Sequence, residues 1–295
     1  MGIFTGSGVA LVTPLDKNNG VDYNKLKELL EFHVNNLTDA IIVTGTTGES
    51  STMTQEEQLE VIRFSVETVG GRVPVIAGTG SNNTAHAVEL SRKADRLGVD
   101  GLLLVTPYYN KGNESGLIHY FKSVAEEVSC PIILYNVPGR TGVNLSFKVL
   151  EELEKVPNIV GIKEASGNIS YVAEIARCFP KLAIYSGNDD MTVPVLSLGG
   201  KGVISVSANI LPQETHNMVH YYLKGETAKA TELQLRYNEL VNCLFIETNP
   251  VPIKEAMNIL GYQVGGCRSP LQEMEKGNCE KLEKLLKKYE VALWR

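Results

Sequence analysis

The chain has 295 residues, 43% of them apolar, with a formal net charge of −6 and a pI near 5.5. Such a chain buries a large core, which excludes disorder and fits either two ordinary domains or one large α/β barrel. The acidic balance, without a Lys/Arg stripe interleaved with aromatics, excludes a nucleic-acid footprint, and no apolar stretch approaches the roughly 20 residues that span a bilayer.

Read from the N-terminus, residues 1–14 hold no basic region followed by a long apolar one, so a cytoplasmic protein is expected, with small molecules as its partners. Short apolar runs then recur at 8–12, 40–43, 74–77, 101–105, 131–135, 159–162, 182–185 and 202–206. Apolar residues follow one another within each run, which predicts strands covered on both faces, as in a parallel sheet. Between them, residues 24–34, 55–68, 85–97, 115–128, 146–155 and 170–178 show the three-to-four-residue apolar spacing of amphipathic helices. Thr54-Gln55-Glu56-Glu57 reads as a capping box that fixes one helix start. Eight such units predict a (β/α)₈ barrel over residues 1–223. No Gly-x-Gly-x-x-Gly follows the first run, and Gly78-Thr79-Gly80 reads as a turn. Beyond Leu223 the pattern turns helical, over 227–244, 252–260 and 278–293, giving an appended region over 224–295. Leu282, Leu285, Leu286 and Tyr289 form a face there for the barrel or a second subunit.

Five cysteines (Cys130, Cys178, Cys243, Cys267, Cys279) lie far apart with no Cys-x-x-Cys pair, so reduced thiols are expected. His216 and His220 stand four apart and can share a helix face. No Glu follows the first and no third ligand is evident, so no metal is expected there.

Lys163 is the residue that points to chemistry. It lies at the polar end of an apolar run, Asn158-Ile159-Val160-Gly161-Ile162-Lys163-Glu164, where burial disfavours the charged ammonium and leaves a neutral amine able to attack a carbonyl. The competing reading is a lysine that snorkels to solvent or pairs with Glu164. In a barrel the active site lies at the C-terminal strand ends, and those ends are rich in hydroxyls. Thr13 follows the first run, Thr44-Gly45-Thr46-Thr47-Gly48-Glu49-Ser50 the second, Thr106-Pro107-Tyr108-Tyr109-Asn110 the fourth and Tyr135-Asn136-Val137-Pro138-Gly139-Arg140-Thr141 the fifth. The glycines around Thr46 and Thr47 allow a backbone nest for a carboxylate, tyrosines can carry protons where no His is available, and Arg140 offers a planar fork for a second carboxylate. Each group taken alone reads equally well as turn residues and packed aromatics.

The segments Gly45-Thr46-Thr47-Gly48-Glu49, Tyr108-Tyr109, Tyr135 to Thr141 and Gly161-Ile162-Lys163-Glu164-Ala165 together resemble the dihydrodipicolinate synthase and N-acetylneuraminate lyase family of class I aldolase barrels, over essentially the whole chain. The resemblance implies that Lys163 forms a Schiff base with pyruvate and that the enamine attacks L-aspartate 4-semialdehyde, without cofactor. It implies proton transfer by Tyr135, Thr46 and Tyr109, with Tyr109 supplied across a subunit contact in a homo-oligomer, commonly a dimer of dimers. Thr47 is expected to hold the pyruvate carboxylate, Arg140 that of the semialdehyde, and the backbone at Ile204 to close the site. Arg140-Thr141 favours the semialdehyde over the polyol substrates of sialic acid lyases. Cleavage of another sugar acid to pyruvate is the alternative. Pyridoxal phosphate fits less well, since Gly187-Asn188-Asp189 and Gly199-Gly200 carry no basic partner beyond Lys201. Lysine-inhibited relatives resemble one another in charged side chains where this chain places Gln55, Gln58 and His86, although Ser50, Asn82 and Tyr108 stay compatible, so weak or absent lysine feedback is expected.

Overall fold

Eight parallel strands close on themselves in sequence order in the structure, a computed structural model that describes residues 2–294. They are β1 (Gly6–Ala10), β2 (Ala40–Val43), β3 (Val75–Gly78), β4 (Gly101–Val105), β5 (Ile132–Asn136), β6 (Ile159–Glu164), β7 (Ala183–Ser186) and β8 (Gly202–Ser205), with β1 paired to both β2 and β8. Alternate residues serve two cores. Ala10, Ile42, Ile76, Leu103, Ile133 and Ile204 fill the barrel interior. Their neighbours Val9, Ile41, Val75, Leu102, Ile132 and Ile162 face the helices. Both faces are therefore dry, which explains the unbroken apolar runs in the sequence.

The helices α1 (Tyr23–Asn35), α2 (Gln55–Val69), α3 (Thr84–Arg96), α4 (Glu114–Ala125), the single-turn α5 (Pro138–Thr141), α6 (Phe147–Leu153) and α7 (Ile169–Cys178) connect the first strands. Asp22, Asn83, Asn113, Ser146 and Asn168 cap their starts through side-chain oxygens. The Thr54–Glu57 capping box forms with both reciprocal bonds. The helix expected to run to residue 128 stops at Ala125. Two further helices escaped the periodicity. These are α8 (Thr192–Ser197), only six residues with Pro194 inside, and α9 (Pro212–Leu223), which starts on a proline at its first position.

Beyond the barrel come α10 (Thr227–Cys243), α11 (Val251–Ile259) and α12 (Lys276–Lys288), the last ending five residues before the expected 293. Leu240, Ile253, Met257, Leu282 and Leu286 are buried in the same cluster as the outward strand residues. Each such side chain contributes about 1.5–3 kcal/mol by burial. Among the described residues no helix is long and apolar enough to cross a membrane. All five cysteines are free, with Cys130 and Cys243 buried.

Polar ties then fasten this region to the barrel mouth. Lys254 of α11 donates to Glu49 Oε1 at 2.8 Å and to the carbonyls of Thr13 and Gly266, and both side chains are 2% exposed. The second Glu49 oxygen accepts from the Arg268 amide at 2.8 Å. The Arg268 guanidinium grips Glu57 in the first turn of α2 with two bonds, which holds that carboxyl below its ordinary range. Removing one partner of a buried pair strands the other charge, at a cost of about 3–5 kcal/mol. Lys254→Ala should therefore lower the urea midpoint sharply, and the double variant Lys254→Met/Glu49→Leu should recover most of the loss. Unfolding curves at one fixed protein concentration measure both, and an unchanged midpoint in Lys254→Ala would show that the pair is not stabilising.

Candidate active site

Strand β6 does not stop short of Lys163 but runs through it to Glu164. The two-residue period of the strand then fixes direction: Lys163 points into the barrel and Glu164 away from it. Parallel register sets Tyr135, Lys163 and Tyr185 side by side across β5, β6 and β7. The Lys163 side chain is 6% exposed, and its Nζ lies 4.3 Å from the centroid of the Tyr135 ring. Among the described residues no carboxylate comes within ion-pair distance of it. Glu164 is occupied elsewhere, accepting from Asn136 Nδ2 at 2.7 Å and from the Ser166 amide at 2.6 Å. Burial raises the Glu164 carboxyl above its usual range. The structure thus removes the reading in which Lys163 pairs with Glu164 or snorkels to solvent.

Room for the Lys163 stem comes from a residue the sequence offered only as a loop. A Cβ on Gly187 would stand 3.1 Å from Lys163 Cε and 2.6 Å from the Ala165 Cβ. Next to it, the side chain of Asp189 turns inward and is buried, accepting from Ser207 Oγ at 2.8 Å, from the Val206 amide at 3.0 Å and from Ser205 Oγ. Gln234 of α10 donates to the Asp189 carbonyl at 3.0 Å. A carboxylate occupies the donors that a phosphate would need, so this loop is a brace for the end of β8 rather than a phosphate site.

Beside Tyr135 opens a cavity of about 290 Å³ whose lining includes Thr46, Tyr108, Tyr135, Val137, Arg140 and Thr141. Thr46 is half-buried at its rim. Thr47 is buried, its hydroxyl accepting from Asn249 Nδ2 at 2.9 Å. The amides of Thr46 and Thr47 have no acceptor among the described residues, which leaves them available to an anion. Arg140 is exposed and donates one bond, at 3.1 Å, to the Asn249 carbonyl, and no carboxylate pairs with it among the described residues. Asn249, just before α11, therefore links the threonine turn to the arginine, and nothing in its local sequence signalled that. Glu49, the nearest acid in the threonine turn, is already neutralised by Lys254. Arg140 lines a hydroxyl-rich pocket in an otherwise acidic protein, the Lys163 amine stands beside its Tyr135 wall, and neither meets a carboxylate among the described residues, which suits small carboxylates.

Four expected residues are not among those lining this cavity: Lys163 stands against it through the Tyr135 ring, Thr47 adjoins Thr46 with its hydroxyl on Asn249, and Ile204 and Tyr109 lie apart. Ile204 is fully buried in the barrel interior, in one cluster with Tyr135 and Tyr185. Tyr109 is 89% exposed with a left-handed φ of 73°, while Tyr108 lines the cavity in its place. Within one chain, Lys163, Tyr135, Thr46, Thr47 and Arg140 gather around the mouth and Tyr109 does not.

A family model described as "Dihydrodipicolinate synthetase family" matches residues 3–289. The chain belongs to that family. It is 58% identical over 293 residues to the 4-hydroxy-tetrahydrodipicolinate synthase of Caldicellulosiruptor saccharolyticus, covering 99% of each chain. The crystal structure of dihydrodipicolinate synthase from Aquifex aeolicus matches with a TM-score of 0.96 at 45% identity, over 99% of this chain and 100% of that one. The chloride-inhibited enzyme of Acinetobacter baumannii, solved with pyruvate, matches with a TM-score of 0.95 at 42% identity, over 97% and 99%. For a member of the dihydrodipicolinate synthetase family the crowding at Gly187 has a direct consequence. Gly187→Ala should displace the Lys163 stem and slow borohydride-trapped adduct formation with pyruvate by about 10- to 100-fold, since an ångström of misplacement costs on the order of 10²-fold. Mass spectrometry of the trapped protein measures it, and a wild-type rate would show that the gap is not needed.

Proposed function

We propose that this chain condenses pyruvate with L-aspartate 4-semialdehyde, the reaction of a 4-hydroxy-tetrahydrodipicolinate synthase in lysine biosynthesis, with Lys163 as the nucleophile. The supporting observation is the buried Lys163 amine, without a carboxylate partner among the described residues and held against Tyr135, a residue that lines the pocket together with Arg140. An amine so placed is held beside a π face, 4.3 Å from the Tyr135 ring, instead of being locked in an ion pair. It is a lyase of the Schiff-base kind, and the pyruvate complex of the A. baumannii relative agrees with that substrate.

Lys163 attacks the pyruvate carbonyl carbon and water leaves, forming an imine. Loss of a methyl proton gives the enamine, whose carbon attacks the aldehyde of the semialdehyde, and the new hydroxyl takes up a proton. The semialdehyde amine then attacks the imine carbon and expels Lys163, so one water is lost overall and the ring closes with its hydroxyl retained. Tyr135 and Thr46 carry protons at the imine, with Tyr109 of the partner subunit completing the relay. The exposed, left-handed Tyr109 is suited to reach another chain, and a dimer of dimers in the cytoplasm is the assembly we assign. The Thr47 turn holds the pyruvate carboxylate, Arg140 that of the semialdehyde, and the β8 backbone at Ile204 closes the far wall.

The deciding experiment offers pyruvate with L-aspartate 4-semialdehyde, and separately with N-acetylmannosamine, coupling the first to dihydrodipicolinate reductase. Turnover with the semialdehyde alone is expected, abolished in Lys163→Ala without loss of the folded circular-dichroism spectrum. Arg140→Ala should raise KM for the semialdehyde by about 10- to 100-fold, the loss of a charged hydrogen-bonded pair, while pyruvate still traps. Turnover only with the amino sugar would overturn the substrate assignment and keep the Lys163 chemistry.

Feedback by lysine should be weak. Gln58, at a place where inhibited relatives carry charge, is buried and donates inward to the Ser50 carbonyl at 2.9 Å. A steady-state titration with sub-millimolar lysine is expected to leave the rate nearly unchanged, and strong inhibition would refute this.

A further inference from the structure

The paired histidines have a third neighbour that their sequence spacing conceals. Asp39 lies 177 residues from His216, and the fold brings it to the same point. His216 Nδ1 stands 2.9 Å from Asp39 Oδ2 and His220 Nε2 stands 3.1 Å from Asp39 Oδ1. The two imidazoles stack with centroids 3.9 Å apart on one face of α9, and the three ligating atoms lie within 4.8 Å of one another.

We propose that Asp39, His216 and His220 form a binding site for a divalent transition-metal ion of the Zn²⁺ type at the N-terminal face of the barrel. Two imidazoles and a carboxylate are the donors such borderline ions select. Ligand atoms around a tetrahedral ion bound at about 2.0–2.1 Å stand roughly 3.3 Å apart, so an ion entering between these groups needs only small side-chain adjustments. The carboxylate is already fixed. Its Oδ2 accepts from the Ser7 amide at 2.7 Å, and the Asp39 amide returns a bond of 2.9 Å to the Ser7 carbonyl. It sits against Gly6, where a Cβ would come within 2.1 Å of Oδ2, so the recess exists only because no side chain is there. The buried Ser7 hydroxyl has no partner among the described residues, leaving a polar group beside the carboxylate unaccounted for. All three ligands are partly exposed, which gives an ion an entry path and lets water complete its shell.

The place of this cluster in the fold sets its role. Asp39 precedes β2, whereas Thr46 and Thr47 follow the other end of the same strand, so the ion is remote from Lys163 and structural. It would tie the start of the β1–β2 pair to α9 at the barrel floor, the face where stability is determined.

The test uses the full-length protein, stripped with a chelator and titrated with Zn²⁺ by calorimetry and with Co²⁺ by visible absorption. One equivalent per chain is expected, with Tm raised by about 5 °C at a hundredfold excess over Kd. His216→Gln/His220→Gln should lose the binding, the Tm shift and the Co²⁺ bands, while turnover with pyruvate and the semialdehyde stays within about twofold of wild type. Should the double variant fail to fold, His220→Gln alone is expected to weaken binding by at least about tenfold. Absence of stoichiometric binding in the wild type would overturn the proposal. So would equal binding in the histidine variants, which would assign the ion to cysteines instead.

Discussion

A charge taken out of water must be answered, and the way this protein answers two buried lysines organises the rest of the molecule. Lys254 is given a carboxylate and two carbonyls, enough acceptors to occupy all three of its protons. Lys163 is given an aromatic face and an adjoining cavity, and no carboxylate among the described residues. The first arrangement is inert and rigid, while the second leaves a nitrogen lone pair within reach once a proton departs. Because Glu49 is committed to Lys254 and Glu164 to Asn136 and Ser166, these two acids are withheld from the Lys163 amine. The positive character of the pocket thus arises from where acids are engaged, against a negative overall charge.

Closure of the sheet supplies the geometry. A closed barrel has no edge, so each strand's alternation is fixed by its neighbours on both sides, and a one-residue slip in β6 would exchange Lys163 for Glu164 in the interior. The paired register of Tyr135, Lys163 and Tyr185 is the local result. Support comes from below and behind: Gly187 leaves space for the stem, and Asp189 gathers the end of β8 with Gln234 of α10.

The sequence showed what rests on local periodicity. The eight strands, the bounds of β4 and the Thr54–Glu57 box could all be read from neighbouring residues, because each is decided within one turn or one strand. That Thr46, Tyr135 and Arg140 meet at one cavity was legible too, since barrel strands deliver their C-terminal ends to one place, whereas the exposed Tyr109 falls outside it. Partners that meet only through closure were not legible. Asn249 reaches Thr47 across 202 positions, Lys254 reaches Glu49 across 205, and Asp39 joins two histidines that looked ligand-poor on their own helix. Short helices such as α8 escaped for a different reason: six residues are too few to display a period.

The ties of Asn249, Lys254 and Arg268 to the threonine turn also bear on how such chains exchange parts. A chimera of two relatives whose crossover falls between the barrel and its trailing helices would mate a threonine turn from one parent with the anchors of the other. Any difference in length or angle there would be transmitted to Thr47 and Arg140 through a single asparagine. Recombination within this family should therefore favour breakpoints that keep residues 44–57 and 249–268 from the same parent, so the unit of inheritance is the braced mouth and the barrel is only its frame.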